Sequence, residues 1–258
     1  MNALEKLFSL EGKVAIVTGG AQGIGKVVAT RMAEVGADIV IFDKQEEKAQ
    51  NAAKEIADST GKRTLAYGVD VTDPNQVERA IAQAGQEMGT LDLLFNNAGI
   101  VIHKSTNDVK PEEWLKVINV NLNGIYFVAS EFGRYLIKHD KKGSIVNTAS
   151  MSAHIVNWPQ EQASYNTSKA GVVQLTKSLA VEYSKKNIRV NCISPGYMYT
   201  ELTCNVDENW QERWMDLTPF GRYGKPEELC GAVIYLLSDS ASFTSGTDIV
   251  VDGCFTVV

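Results

Sequence analysis

Seven short apolar runs, separated by longer stretches of helical periodicity, constrain this chain more than any other feature. The runs cover residues 14–18, 39–42, 64–69, 91–95, 144–148, 189–193 and 248–251. Their hydrophobicity is continuous rather than alternating, as in strands covered on both faces. Helical patterns lie between them, among others over 25–35, 46–59, 75–88 and 164–183. The segment opening at Pro74 has Thr72 or Asp73 to cap it and a proline in its first turn. Such alternation predicts right-handed βαβ units and an open parallel sheet, an α/β fold. No repeat, low-complexity tract or linker interrupts it, so residues 1–258 read as one domain. Ligands of such sheets bind beyond the carboxyl ends of the strands, which directs attention to the residues just after each run.

Composition excludes several classes. Hydrophobic residues at 44% and charged residues at 22% are incompatible with a disordered chain. A net charge of −6 argues against a nucleic-acid partner bound through a basic surface. No apolar run approaches the roughly 18 residues of a membrane span, so no membrane partner is expected. Residues 1–10 carry Glu5 and Lys6 and show no signal-peptide core. Cys192, Cys204, Cys230 and Cys254 form no CxxC pair and accompany no histidine cluster. They predict no metal site and suit a reduced, cytoplasmic compartment.

After the first run comes Thr18-Gly19-Gly20-Ala21-Gln22-Gly23-Ile24-Gly25, then a helix. Glycines there let the backbone approach a pyrophosphate at an amide-rich helix N-terminus, or serve only to pack helix on strand. Asp43 ends the second run; its carboxylate can accept hydrogen bonds from ribose hydroxyls and would repel a 2′-phosphate. Asp70-Val71 follows the third run and Asn96-Asn97-Ala98-Gly99 the fourth. Each alone could be a plain turn, but four polar or glycine punctuations in succession are not explained by turns. In Tyr165-Asn166-Thr167-Ser168-Lys169 the i,i+4 spacing puts Tyr165 and Lys169 on one helix face, where an ammonium favours the phenolate. Ser150, just past the fifth run, can hydrogen-bond a substrate carbonyl.

Taken together, Thr18-Gly19…Gly23-Ile24-Gly25, Asp70-Val71, Asn96-Asn97-Ala98-Gly99, Asn119-Val120-Asn121-Leu122, Ser150, Tyr165…Lys169 and Pro195-Gly196…Thr200 resemble the short-chain dehydrogenase/reductase family. The match runs almost end to end, and Gly246 to Gly253 resembles the family's closing strand and turn. The resemblance implies a single-domain, Rossmann-type doubly wound fold with a mostly seven-stranded parallel sheet flanked by helices. It implies a catalytic tetrad of Asn121, Ser150, Tyr165 and Lys169. Asn121 is the match because it precedes a leucine and lies three before Gly124. The resemblance implies a nicotinamide cofactor, bound by Gly19, Gln22, Gly23, Ile24, Gly25, Asp43, Asp70, Val71, Asn97, Ala98, Gly99, Val120, Tyr165, Lys169, Pro195, Gly196, Met198 and Thr200. Asp43, with Gln22 rather than a basic residue in the glycine loop, selects NAD, against Lys44, which could pair with a 2′-phosphate. Residues of about 197–220, with Trp210 and Trp214, correspond to the family's mobile substrate lid. The helix from Ser164 would contribute to a homo-tetramer.

The stretch from Asn147 to Ala170 is most similar to the family's polyol dehydrogenases and ketose (sorbose) reductases. That implies a small-molecule substrate of the sorbitol, mannitol or arabinitol type, contacted by Ser150, Ser152 and Asn157. His154 reads as a residue of the surface or of the site's surroundings rather than a base. The alternatives are a 3-oxoacyl-thioester reductase, another secondary-alcohol dehydrogenase, or a non-catalytic NAD-binding sensor.

Overall fold

The computed structural model describes residues 3–258. Seven strands, β1 (Val14–Thr18), β2 (Asp38–Asp43), β3 (Thr64–Gly68), β4 (Leu93–Asn96), β5 (Gly143–Thr148), β6 (Ile188–Pro195) and β7 (Asp248–Val251), form one parallel sheet. Their order is β3-β2-β1-β4-β5-β6-β7. The principal helices are α1 (Ala3–Phe8), α2 (Gly23–Glu34), α3 (Glu46–Thr60), α4 (Pro74–Met88), α5 (Pro111–Ile118), α6 (Ile125–Lys138), α7 (Ala163–Tyr183), α8 (Glu201–Cys204), α9 (Glu208–Leu217) and α10 (Glu227–Leu237). This is a single-domain Rossmann-type arrangement.

The continuous apolar runs have a direct cause in the packing. Ala15, Val17, Ile39 and Ile41 face a core layer shared with Val28 and Met32 of α2, Ile56 of α3 and Val233 of α10. The intervening Ile16, Val40 and Phe42 face the opposite layer, shared with Ile81 of α4, Phe132 of α6 and Leu179 of α7. Successive side chains point to opposite faces, and both faces are buried, so both are mainly apolar and the polar exceptions, such as Ser144 and Asn147, are hydrogen-bonded. Asp73 caps α4, its carboxylate accepting the Asn75 amide at 2.9 Å, and Pro74 opens the helix.

Strand ends depart from the sequence reading where polar residues keep the ladder going. β4 begins at Leu93 and reaches Asn96. Asp92, inside the expected strand, instead accepts the Val14 amide at 3.0 Å through its carboxylate and pairs with Lys141. β6 runs on to Pro195 because Ser194 and Pro195 still lie in register with Val250 and Val251.

The amino-terminal edge of the sheet is tied by side chains. Arg189 donates to the carbonyls of Leu236 (2.7 Å), Ser238 (3.0 Å) and Thr244 (3.3 Å), and the Ser144 hydroxyl donates to Leu236 as well. At the opposite edge the connections from β1 and β4 leave in different directions, β1 toward β2 and β4 toward β5. That switch point opens a crevice above the strand ends.

Candidate active site

The first wall of the crevice is the β1–α2 turn. Gly19 and Gly23 both take positive φ (63° and 55°), a conformation most side chains disfavour. A Cβ on Gly25 would collide with the Gly19 carbonyl oxygen and crowd the Asn97 amide. Gln22 occupies the N-cap of α2 without a side-chain cap, and no acidic residue lies in the first turn. The amides there are therefore available to an anion. The turn is locked to β4 through Thr18, whose hydroxyl accepts the amides of Asn97 (2.8 Å) and Ala98 (3.0 Å).

Asp43 stands at the end of β2. Its carboxylate accepts the Ala21 amide at 3.2 Å and the Gln45 amide at 2.9 Å, which fixes a negative charge beside the glycine turn. Lys44 reaches the other way, to Asp70 at 2.7 Å. Burial alone would raise the Asp70 carboxyl, but hydrogen bonds from Lys44 and Thr72 outweigh it and hold it at about 2. Lys48 approaches the Gln22 amide oxygen at 3.4 Å.

The second wall lies over β4, β5 and α7. Between α5 and α6 the chain makes one π-helical turn, Asn119–Gly124, a distortion that often re-aims a side chain at a functional site. Here it buries Asn121 completely. The Asn121 amide accepts from the Ile100 N–H and donates to the Ile100 carbonyl, both at 2.8 Å, and also donates to Ser168 at 3.1 Å. Gly99 lies between the tetrad members: a Cβ on it would stand 3.4 Å from the Asn121 amide oxygen and 3.5 Å from Lys169 Nζ.

Lys169 is buried, donates to the Thr148 carbonyl at 2.7 Å and lies 5.6 Å from the centre of the Tyr165 ring. Burial pushes its ammonium down to about 8. Burial pushes the Tyr165 phenol up, and the adjoining Ser150 hydroxyl works in the other direction. Ser150 is N-cap of a short turn and donates to the Ser152 hydroxyl at 3.1 Å. The four expected tetrad residues thus meet at one place. Pro195 and Gly196 close the far side, with the Gly196 amide bound to Val251; Met198 bridges to Gly224, and Thr200 caps α8.

Beside Tyr165 runs a relay of buried amides. Gln162 Nε2 donates to Asn166 (2.9 Å), Asn157 (3.0 Å) and Ser152 (3.4 Å). Asn157 Nδ2 donates to the Tyr197 hydroxyl at 3.1 Å and Gln160 Nε2 to the same oxygen at 2.8 Å. Gln160 in turn accepts the indole N–H of Trp214 at 2.9 Å. Trp214 stacks on Tyr197, ring centres 4.2 Å apart and planes within 8°. Trp210, one turn earlier on α9, meets His103 edge-on at 5.4 Å. The Asn157 amide is held between Gln162 and Tyr197 and keeps one N–H that neither takes. His154 lies apart from Tyr165 and pairs with Asp248 at 2.7 Å. The sequence reading missed Gln160, Gln162, Tyr197 and His103. The pair of glutamines flanking Glu161, just before Tyr165, was the available signal.

Residues 19–256 match the family model described as enoyl-(acyl carrier protein) reductase. The crystal structure of a short-chain type dehydrogenase/reductase from Mycobacterium marinum is 41% identical and superposes with a TM-score of 0.96, over 99% of this chain and 100% of that one. The chain belongs to the short-chain dehydrogenase/reductase family. A short-chain dehydrogenase/reductase is an oxidoreductase acting on CH–OH groups with a nicotinamide cofactor. This member is similar to sorbose reductase of Schizosaccharomyces pombe, at 42% identity over 97% of this chain and 98% of the relative. It is also similar to NADP-dependent mannitol dehydrogenase of Hypocrea jecorina, at 43% identity over 99% and 96%. Among the described residues, no helix of this short-chain dehydrogenase/reductase is long and apolar enough to cross a membrane.

Proposed function

We propose that this enzyme is a NAD-dependent dehydrogenase/reductase that interconverts a sugar alcohol and its ketose, acting in the cytoplasm as a homo-tetramer. The observation that carries the substrate class is the dense polar wall beside Tyr165, formed by Ser150, Ser152, Gln162 and Tyr197. A site built to hydrogen-bond several hydroxyls rejects substrates lacking them, because its own polar groups would be left unpaired. Similarity to sorbose reductase and mannitol dehydrogenase supports the same class.

The residues present fit a dinucleotide. The cradle that a Cβ on Gly25 would fill and the uncapped amides of α2 suit a pyrophosphate. We assign the remaining cofactor contacts to Gly19, Gln22, Gly23, Ile24, Asp43, Asp70, Val71, Asn97, Ala98, Gly99, Val120, Tyr165, Lys169, Pro195, Gly196, Met198 and Thr200. When bound, the nicotinamide supplies hydride transfer. The protein's own groups handle the proton and the charge. In oxidation Tyr165, as phenolate, takes the proton of the reacting hydroxyl; in reduction it returns that proton to the carbonyl oxygen. The Lys169 ammonium favours the phenolate. Ser150 donates to the oxygen on which negative charge develops, and Asn121 anchors a water through which Tyr165 exchanges protons with solvent.

NAD is preferred on this reading because Asp43, held by two backbone amides, would repel a 2′-phosphate. Two observations favour the other cofactor: Lys48 reaches Gln22 of the glycine turn and Lys44 follows Asp43, and the Hypocrea jecorina relative is named NADP-dependent. The description of the matching family model favours an acyl-thioester substrate as a second reading, while a sensor without catalysis has no use for all four tetrad residues.

One assay tests these assignments. Oxidation of C5 and C6 polyols at pH 9, and reduction of ketoses, would be measured with NAD(H) and NADP(H) beside an acetoacetyl thioester. Turnover of polyol or ketose with the higher kcat/KM for NAD is expected. Turnover of the thioester alone overturns the substrate class, and equal or better use of NADP overturns the cofactor.

A further inference from the structure

Tyr197 has a hydroxyl whose bonding is unusually well determined. An indole N–H can only donate, so Trp214 fixes the Gln160 amide with its oxygen toward α9 and its NH2 toward Tyr197. Gln162 donates to the Asn157 amide oxygen, which leaves the Asn157 NH2 facing Tyr197 too. The phenol oxygen therefore accepts two hydrogen bonds from opposite amides. With two acceptor sites filled, its one remaining capacity is to donate. No protein acceptor for that proton is present among the described residues. The ring is held in place by stacking on Trp214 at 4.2 Å and by an edge-on contact with Phe255 at 5.5 Å. Tyr197 is joined to the surroundings of Tyr165 through Asn157, Gln162, Ser152 and Ser150.

We propose that Tyr197 is a specificity-determining hydrogen-bond donor, its proton turned toward a substrate hydroxyl beside the reacting carbon by Gln160 and Asn157, with lid residue Trp214 setting the Gln160 amide. The proposal rests on the polyol/ketose reading and names a residue that recognises the extra hydroxyls. It also gives α9 a chemical part: the lid determines which way a proton points. A half-buried donor with both acceptor sites filled by protein favours a polyhydroxylated substrate over one with a single oxygen.

The test compares wild type, Tyr197→Phe and Gln160→Glu on a matched pair, a C6 ketose and 2-hexanone, under saturating reduced cofactor. Tyr197→Phe keeps the stack and removes the proton. Gln160→Glu keeps the hydroxyl but offers it a carboxylate, which draws the proton inward. Both variants are expected to lower the ketose-to-hexanone ratio of kcat/KM by about 3- to 10-fold, the size of one neutral hydrogen bond, mainly through KM for the ketose. Circular dichroism and the affinity for reduced cofactor, read by fluorescence, establish that each variant is folded. If Gln160→Glu does not fold, Tyr197→Phe alone decides. A ratio within 1.5-fold of wild type, with wild type active on the ketose, overturns the role of Tyr197 and leaves the substrate class standing. Wild type inactive on every ketose and polyol overturns the substrate class, and the assignment of Tyr197 falls with it.

Discussion

On the side of the glycine turn the crevice presents backbone; beside Tyr165 it presents side-chain amides. The first wall is a glycine turn and a row of uncapped helix amides, contributed by residues within about one βαβ unit. The second is assembled from the turn at Ser150, the loop of 157–162, the residues just after β6 and helix α9, tied together by Gln162, Asn157, Gln160 and Trp214. A backbone wall suits a ligand whose recognised part does not vary. A wall of side chains can be rewritten one residue at a time, so specificity belongs there.

Three substitutions probe that division, in order of effect. Tyr165→Phe removes the acid/base group at the junction of the two walls. Turnover should fall by about 100-fold or more while reduced cofactor still binds, measured by steady-state kinetics and fluorescence titration. Near-normal turnover would remove Tyr165 from the chemistry.

Lys169→Met removes a charge that both walls share. An amine whose pKa is depressed by burial destabilises the fold while it stays protonated. The cost is complete below about 8 and fades as pH climbs toward 10.5, where the unfolded chain loses the same proton. The cofactor-free variant should therefore be more stable than wild type at pH 7 by about 1–3 kcal/mol, and the gap should close by pH 10. Denaturant titration at the two pH values checks it; a gap that widens with pH contradicts the assigned burial. The same variant should lose activity.

Asp43→Ser acts on the first wall alone. The ratio of kcat/KM for NADP over NAD should rise about tenfold, equivalent to about 1.4 kcal/mol, with KM for the polyol nearly constant. A change in polyol KM as large as the change in cofactor ratio would mean that the walls are not independent.

The first wall was also the more legible in sequence, for a physical reason. Gly19, Gly23 and Gly25 are dictated by local backbone geometry, and local geometry leaves fixed spacings. Tyr165 and Lys169 also leave a fixed spacing because they share one helix face, whereas Asn121 and Ser150 were expected beside them only through the family resemblance, and the π-turn that carries Asn121 shows only in the folded chain. Gln160, Gln162 and Tyr197 obey no spacing. Their partners come from segments far apart in the chain, so only the folded chain shows that the amides form one relay. Asn157 illustrates the limit: its sequence neighbourhood was readable, but the partners that hold its amide, Gln162 and Tyr197, were not. Strand limits erred at Asp92 and Pro195, where a polar or imino residue was decided by tertiary pairing.

The base of the sheet carries a different consequence. Arg189 and Ser144 clasp the carbonyls that close α10, and Asp92 holds the amide that begins β1. The ligand end is clasped between strands by side chains of its own: Thr18 with Asn96 and Asn97, Asn96 with Asn147, and Thr148 with Asn97. A sheet pinned at both ends frays from neither, so amide exchange in β4 and β5 should be uniformly slow along each strand and report global unfolding rather than local opening.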